Sequence, residues 1–191
     1  MRMTQTLPST RAVPVRGYRP TDHGPCRQLW AELTAEHRAR YPGPQPGLEP
    51  ALTGEPSAVD PSDPGAGFEE YLTRLDLSGM WVAQHADDGV VAFAGLILRG
   101  RTGAVEPVVV TARRRGQGIG RALLQHVADQ ARRRGLRELS ISPALRNAEA
   151  LHCLYRAGYD TASTVTLTLD LTGRQQRNAD NLDLHGVRFA Y

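Results

Sequence analysis

Lysine is missing from this sequence: all 23 basic residues among its 191 are arginine. That excludes a Schiff-base mechanism and any phosphate loop built on Gly-Lys-Ser/Thr. Cysteine is nearly missing too. Cys26 and Cys153 are too few for a disulfide framework or a multi-cysteine zinc site, and they suit a reducing compartment. No apolar run reaches the length of a membrane span, so no membrane partner is expected. Aromatic residues make up only 6 % and are not interleaved with the arginines. That argues against nucleic-acid binding despite a pI of about 9.2. Residues 1–12 are polar and lack the apolar stretch of an export signal. They are expected to be a flexible N-terminal tail on a cytoplasmic protein.

What is present is a hydrophobic content of 40 %, enough for one globular domain, expected over residues 13–191. The net charge of +3 sums two unlike regions. Residues 41–73 hold six acids (Glu49, Glu55, Asp60, Asp63, Glu69, Glu70) and no arginine. Residues 99–156 hold twelve arginines against four acids. The first region would attract a cation and the second a phosphate-bearing ligand.

Pattern along the chain predicts a strand over 13–19, then a helix capped by Thr21 or Asp22 and running to Arg40, with Cys26, Leu29, Trp30 and Leu33 on its inner side. Residues 41–67 carry seven of the thirteen prolines and must be a long loop. A short helix over 68–75 precedes three strands, 80–84, 90–99 and 104–110, the first two joined by an Asp88-Gly89 turn. Residues 119–134 are helical, ended by Gly135. A buried strand over 139–142, a helix over 147–157, a strand over 164–171 and a final strand over 182–189 complete the order. That last strand, apolar and following a polar loop, is free to pair within its own sheet or with a second copy in a homodimer.

The informative segment runs from Val108-Val109-Val110 through Thr111-Ala112-Arg113-Arg114-Arg115-Gly116-Gln117-Gly118-Ile119-Gly120-Arg121. An apolar strand passes through a basic glycine turn into an amphipathic helix. Glycines let backbone N–H groups approach an oxyanion, and the helix N-terminus adds partial positive charge. A diphosphate is the natural guest. The dinucleotide fingerprint needs Gly-x-Gly-x-x-Gly, and the spacing here is Gly-x-Gly-x-Gly.

On these residues the chain resembles the GCN5-related N-acetyltransferases. Arg115-x-x-Gly118-x-Gly120 matches their Arg/Gln-x-x-Gly-x-Gly/Ala signature, and Asn147, Ala150, Leu151, Gly158 and Tyr159 match the later Asn-x-x-Ala-Leu…Gly-Phe/Tyr pattern. The resemblance implies an α/β (α+β) fold with a central mixed, mostly antiparallel sheet of six to seven strands and four helices. It implies that the fourth and fifth strands splay to admit acetyl-coenzyme A as co-substrate, with no metal. The backbone of Val108, Val109 and Val110 would pair with the pantetheine amides. Arg115, Gly116, Gln117, Gly118, Ile119, Gly120 and Arg121 would hold the pyrophosphate, and Asn147 would touch the cofactor. Pro107, which cannot donate to a ladder, marks a bulge or a place where pairing is interrupted, and so suits a splayed strand.

By the same resemblance Glu106 occupies a position that often supplies the base for the acceptor amine, whose pKa of about 10.4 makes deprotonation necessary. The tyrosine that many relatives use to protonate the leaving thiolate falls here on Leu154. Tyr155 is one residue, about 100°, further round the helix, and it serves as acid only if that helix is rotated or irregular. The acidic loop lies where relatives bind the acceptor, so a small cationic amine or a peptide amine is expected. The alternative is a non-catalytic acyl-coenzyme A-binding sensor module, which the shifted tyrosine favours and Glu106 opposes.

Overall fold

A computed structural model describes residues 13–40, 63, 65–75, 77–167 and 181–190. The expected tail, most of the 41–67 loop and residues 168–180 lie outside them.

Five strands form one sheet in the order β1 (Val15–Gly17), β2 (Met80–His85), β3 (Gly89–Arg99), β4 (Thr102–Val110), β5 (Glu138–Ser140). The first three pairings are antiparallel and β4–β5 is parallel. Helices α1 (His23–Arg40) and α2 (Gly67–Arg74) lie on one face, α3 (Ile119–Arg133) and α4 (Ala148–Arg156) on the other. The alternation of a strand buried on both sides explains the two layers. Met80 and Val82 face α1 and α2, whereas Trp81 and Ala83 face α3.

The few aromatics are concentrated where they do most. Trp30, Phe68, Tyr71 and Phe93 are fully buried together, with ring centroids 5.1–5.9 Å apart for Trp30–Tyr71, Phe68–Phe93 and Trp30–Phe68. Such pairs add about 0.5–1.5 kcal/mol each beyond area burial. On the other face Ile119, Leu123, Val127 and Ala131 of α3 are buried at the expected spacing of four. Gly135 closes α3 at φ 73°, as the C-terminal glycine reading required.

Several expectations change in detail. Asp22 does not cap the turn that follows it. Its carboxylate reaches back to the Arg19 N–H at 2.8 Å and takes a two-pronged contact from Arg16 at 2.7 and 2.9 Å, while Pro20–Asp22 forms a 3-10 turn. Residues 164–167 form no strand, leaving Val165 and Leu167 exposed; the rest of that expected strand lies outside the described residues. The single final strand is a hairpin, β6 (Asn181–Leu184) and β7 (Val187–Ala190). His185 and Gly186 both adopt positive φ, 53° and 81°, the requirement of a type I′ turn, and Asp183 Oδ1 accepts the Gly186 N–H. Arg134, just past the end of α3, places its guanidinium 5.6 Å from the Trp81 ring centroid and donates to the Ser78 carbonyl.

Candidate active site

Strands β4 and β5 begin side by side and then part. Their parallel register covers only Thr102–Glu138, Gly103–Leu139 and Ala104–Ser140, while β4 continues to Val110. The shared end is tight: a β-carbon on Gly103 would stand 2.6 Å from Leu96 Cδ1 and 3.0 Å from Leu139 Cδ2. Beyond Ala104, no strand among the described residues lies beside the β5-facing edge of β4. Pro107 marks a bulge, one of the two readings its missing N–H allowed. Ala94 pairs with Val108 and Leu96 with Val105, so Glu106 and Pro107 together oppose Gly95 in a bulge on the β3 side.

The open edge leads straight into the glycine turn. Val108 and Val110 pack toward α3 and Val109 toward α1, so the three differ in side-chain direction while sharing one backbone edge. Gly116 and Gly118 have φ of 73° and 81° and open space where a β-carbon would stand. Gly118 is the N-cap of α3 and brings no side-chain oxygen to its first turn. The orphan N–H groups there suit an external anion. Ile119 is buried in the core and would offer only its backbone, while Gln117 and Arg121 are exposed. These glycines therefore fit a phosphate-bearing group, and the open edge above them fits an amide-bearing arm.

The arginines of the turn are already engaged. Arg114 Nε lies 2.7 Å and Arg113 Nε 3.6 Å from Asp88 Oδ2 in the β2–β3 turn. The Arg114 hydrogen bond holds the Asp88 carboxyl below the usual range. Arg115 donates Nε to the Val110 carbonyl at 3.0 Å and Nη2 to Glu36 at 2.9 Å, and Thr111 Oγ1 donates to Glu32 at 2.9 Å. These pairs tie the turn to α1 and to the hairpin, and they offset part of the positive charge that the sequence places there.

Asn147 is the N-cap of α4, accepting the Ala150 N–H at 3.1 Å, and the same oxygen takes a contact from Arg40 at the end of α1 at 3.3 Å. On α4, Leu154 is buried against α3, whereas Tyr155 is 68 % exposed. The helix thus has the regular phase in which the two positions diverge, Leu154 turned into the core and Tyr155 turned to solvent. Cys153, one residue the other way, faces Gly120. Glu106 sits at the β4 bulge. Its carbonyl accepts the Tyr71 hydroxyl at 2.8 Å, and its charge acts on that phenol. Of the six acids, Asp63 pairs with Arg27, and Glu69 with Arg27 at 2.9 Å and His23 at 3.3 Å; Glu49, Glu55 and Asp60 lie outside the described residues. His37 on α1 is half-buried, and burial lowers its basicity, as does Arg40. Among the described residues no group of three His, Cys, Asp or Glu could hold a metal ion, and no helix is long and apolar enough to cross a membrane.

Sequence pattern missed Tyr71, Glu36, Glu32 and Arg40, whose partners lie 35 to 107 residues away. One signal was available: Gly95 interrupts an apolar strand, a mark of a bulge or a close backbone approach.

The chain is similar to several acetyltransferases. Streptothricin acetyltransferase of Streptomyces lavendulae is 35 % identical over 104 residues, 53 % of this chain and 55 % of that protein, so the match spans about half the relative's length. The PaiA N-acetyltransferase of Thermoplasma acidophilum, solved with coenzyme A, aligns with a TM-score of 0.57 at 13 % identity over 76 % of this chain and 87 % of that one. A ribosomal-protein-alanine N-acetyltransferase of Brucella melitensis aligns with a TM-score of 0.56 at 19 % identity, covering 76 % and 83 %. At these identities the two structures show a shared fold. The model of the acetyltransferase (GNAT) family matches residues 30–159, which include β4, the glycine turn and α4, and the chain belongs to that family.

Proposed function

We propose that this chain transfers the acetyl group of acetyl-coenzyme A to a primary amine by direct attack. The carrying observation is the backbone edge of β4 that parts from β5 beyond Ala104, has no strand beside it among the described residues, and runs into a glycine turn at a helix N-terminus. Acetyl-coenzyme A, when bound, supplies a thioester whose carbonyl carbon the neutral amine attacks as the carbon–sulfur bond breaks. Val108, Val109 and Val110 would align its amides through their backbone. The N–H groups from Gly116 to Arg121 would hold its phosphates, Arg115 would fix the turn on Val110, and Asn147 would brace the opposite wall.

In this reading Glu106 takes the proton that the attacking amine releases, directly or through water, on the face that bears α1 and α2. Tyr155 is the candidate donor to the departing thiolate. Its exposure makes solvent the competing donor, and Tyr155→Phe with unchanged kcat would assign the proton to solvent. Leu154 in place of the usual tyrosine is the observation that favours the sensor reading, because no hydroxyl stands at that position.

The acceptor is proposed to be a small cationic amine or a peptide amine. The six acids of residues 41–73 support it; Arg27 weakens the support by binding Asp63 and Glu69. A relative named for streptothricin favours a small-molecule acceptor. We further propose one domain over residues 13–191 working in the cytoplasm as a homodimer joined through the β6–β7 hairpin. Sedimentation showing only monomer at micromolar concentration would remove the dimer.

The test is release of free coenzyme A from acetyl-coenzyme A across a panel of polyamines, amino sugars, streptothricin, basic peptides and acidic amino acids, at low and high salt. Turnover with a cationic amine that fades as salt rises supports the whole reading. Binding of acetyl-coenzyme A without release with any amine would favour the sensor.

A further inference from the structure

Tyr71 is fully buried among Trp30, Phe68 and Phe93, its ring 5.1 Å from Trp30 and nearly parallel to it. Packing alone asks for phenylalanine there, because a buried hydroxyl needs a partner. The partner is the Glu106 carbonyl at 2.8 Å. Three separate points of the chain make that bond possible. The bulge turns Glu106 and Pro107 against a single β3 residue. That residue is Gly95, where a β-carbon would stand 1.7 Å from Tyr71 Oη and 2.7 Å from the Glu106 carbonyl oxygen. Helix α2 then delivers the phenol from the other face.

We propose that Tyr71 is a positioning residue for Glu106: its hydroxyl holds the Glu106 peptide and so sets the direction in which the carboxylate projects. The inference rests on the reading of Glu106 as the base. A carbonyl at a bulge has lost regular ladder geometry, so the backbone there needs another restraint. A base displaced by about 1 Å loses up to about 10²-fold in rate.

Two further features fit. Burial above all, and then the charge of Glu106, raises the Tyr71 phenol far above its ordinary range, with Arg74 opposing. The group is therefore a constant donor and no competitor for the proton. The first turn of α2 is also clamped, since Arg27 Nε binds Glu69 at 2.9 Å two residues before Tyr71. The hydroxyl is thus held from α1 as well as by its own packing.

The test is a double-mutant cycle with Tyr71→Phe, Glu106→Gln and the combination, on the best amine from the panel, with kcat read at saturating acetyl-coenzyme A and KM from its titration. Saturation also keeps the variants folded by mass action. Tyr71→Phe is expected to lower kcat by about 5- to 100-fold while KM for acetyl-coenzyme A stays within about twofold, the mark of lost positioning without lost binding. Glu106→Gln alone is expected to lose about 10²–10⁴-fold, and the double variant to be no slower than Glu106→Gln. Tyr71→Met, which fills the space adaptably without a donor, repeats the measurement with different packing. Wild-type kcat in the Tyr71 variants, with Glu106→Gln slow, overturns the positioning role and leaves the base standing. Losses that multiply in the double variant also overturn it, because Tyr71 then acts independently of Glu106. Wild-type kcat in Glu106→Gln removes both readings at once.

Discussion

The sulfur of Cys153 on α4 lies 3.9 Å from the point where a β-carbon on Gly120 would stand, so the exposed thiol of the protein looks onto the first turn of α3. The other thiol, Cys26, is fully buried, and burial pushes it up to about 12, with Asp22 adding and Arg16 opposing. N-ethylmaleimide should therefore label Cys153 alone in the folded protein and both cysteines in denaturant. Acetyl-coenzyme A, which has no free thiol, should slow labelling of Cys153 if its phosphates occupy the turn. Peptide mass spectrometry reads both outcomes. A labelling rate unaffected by saturating acetyl-coenzyme A would place the ligand away from the Val110–Gly120 edge.

Gly118→Val should abolish acetyl-coenzyme A binding in calorimetry while the protein stays folded. The position has φ of 81°, so a β-branched residue is strained by about 1–3 kcal/mol, and its side chain would enter the space left for the phosphates. Gly100→Val is the control. It carries similar strain at φ 64°, also into open space, but at the far end of β4. Equal affinity in both variants would show that the turn does not hold the ligand.

The parts of this site that were legible in the sequence are those made by neighbours in sequence. Asp88-Gly89 announced its turn, with Gly89 at φ 70°, and Asn147 announced a cap that it makes with Ala150. Gly118 and Gly120 announced the helix start. What stayed hidden depends on partners far along the chain. The arginines read as free positive charge until Asp88 and Glu36 came beside them. The final hairpin read as one strand because its two-residue turn is His185-Gly186, which lacks the Asn-Gly or Asp-Gly signature of such turns. The bulge at Glu106 was half legible, since Pro107 marked an irregularity without saying on which side of β4 it would fall.

Two glycines on adjacent strands should respond differently to alanine. At Gly103 the new methyl meets the ends of Leu96, Leu139 and Leu136 side chains at 2.6 to 3.2 Å, which can shift, for a cost of about 1–3 kcal/mol. At Gly95 it meets the Tyr71 hydroxyl at 1.7 Å and the backbone oxygen of Glu106 at 2.7 Å. Backbone cannot yield so easily, and the hydrogen bond is lost as well, so the loss should exceed about 3 kcal/mol. Urea unfolding of the two variants measures this order. Gly95→Ala at least as stable as Gly103→Ala would mean that the bulge can reshape without Tyr71.

Acid should destabilise this protein through Asp22 in particular. Its carboxylate is 6 % exposed, takes both prongs of Arg16 at 2.7 and 2.9 Å, and accepts the Arg19 N–H at 2.8 Å. The Arg16 hydrogen bond is the main reason the carboxyl titrates below its ordinary range; burial pulls the other way and the Arg19 N–H reinforces the lowering. A carboxyl whose folded value lies below the unfolded value of about 3.9 binds more protons unfolded than folded in that interval. Its contribution is therefore fully present above about pH 4 and is lost as pH falls through the folded value. Asp22→Asn keeps the shape and removes the charge, leaving Arg16, itself 24 % exposed, without its counter-ion. The cost at pH 7 should be about 1–3 kcal/mol, discounted for the solvent that reaches Arg16. The variant's deficit should then shrink as pH falls below about 4, because the wild-type carboxyl loses the same charge there. Urea midpoints of both proteins between pH 7 and pH 3 follow that convergence. Parallel curves with a constant gap would mean that Asp22 stabilises the start of α1 through shape and hydrogen bonding alone.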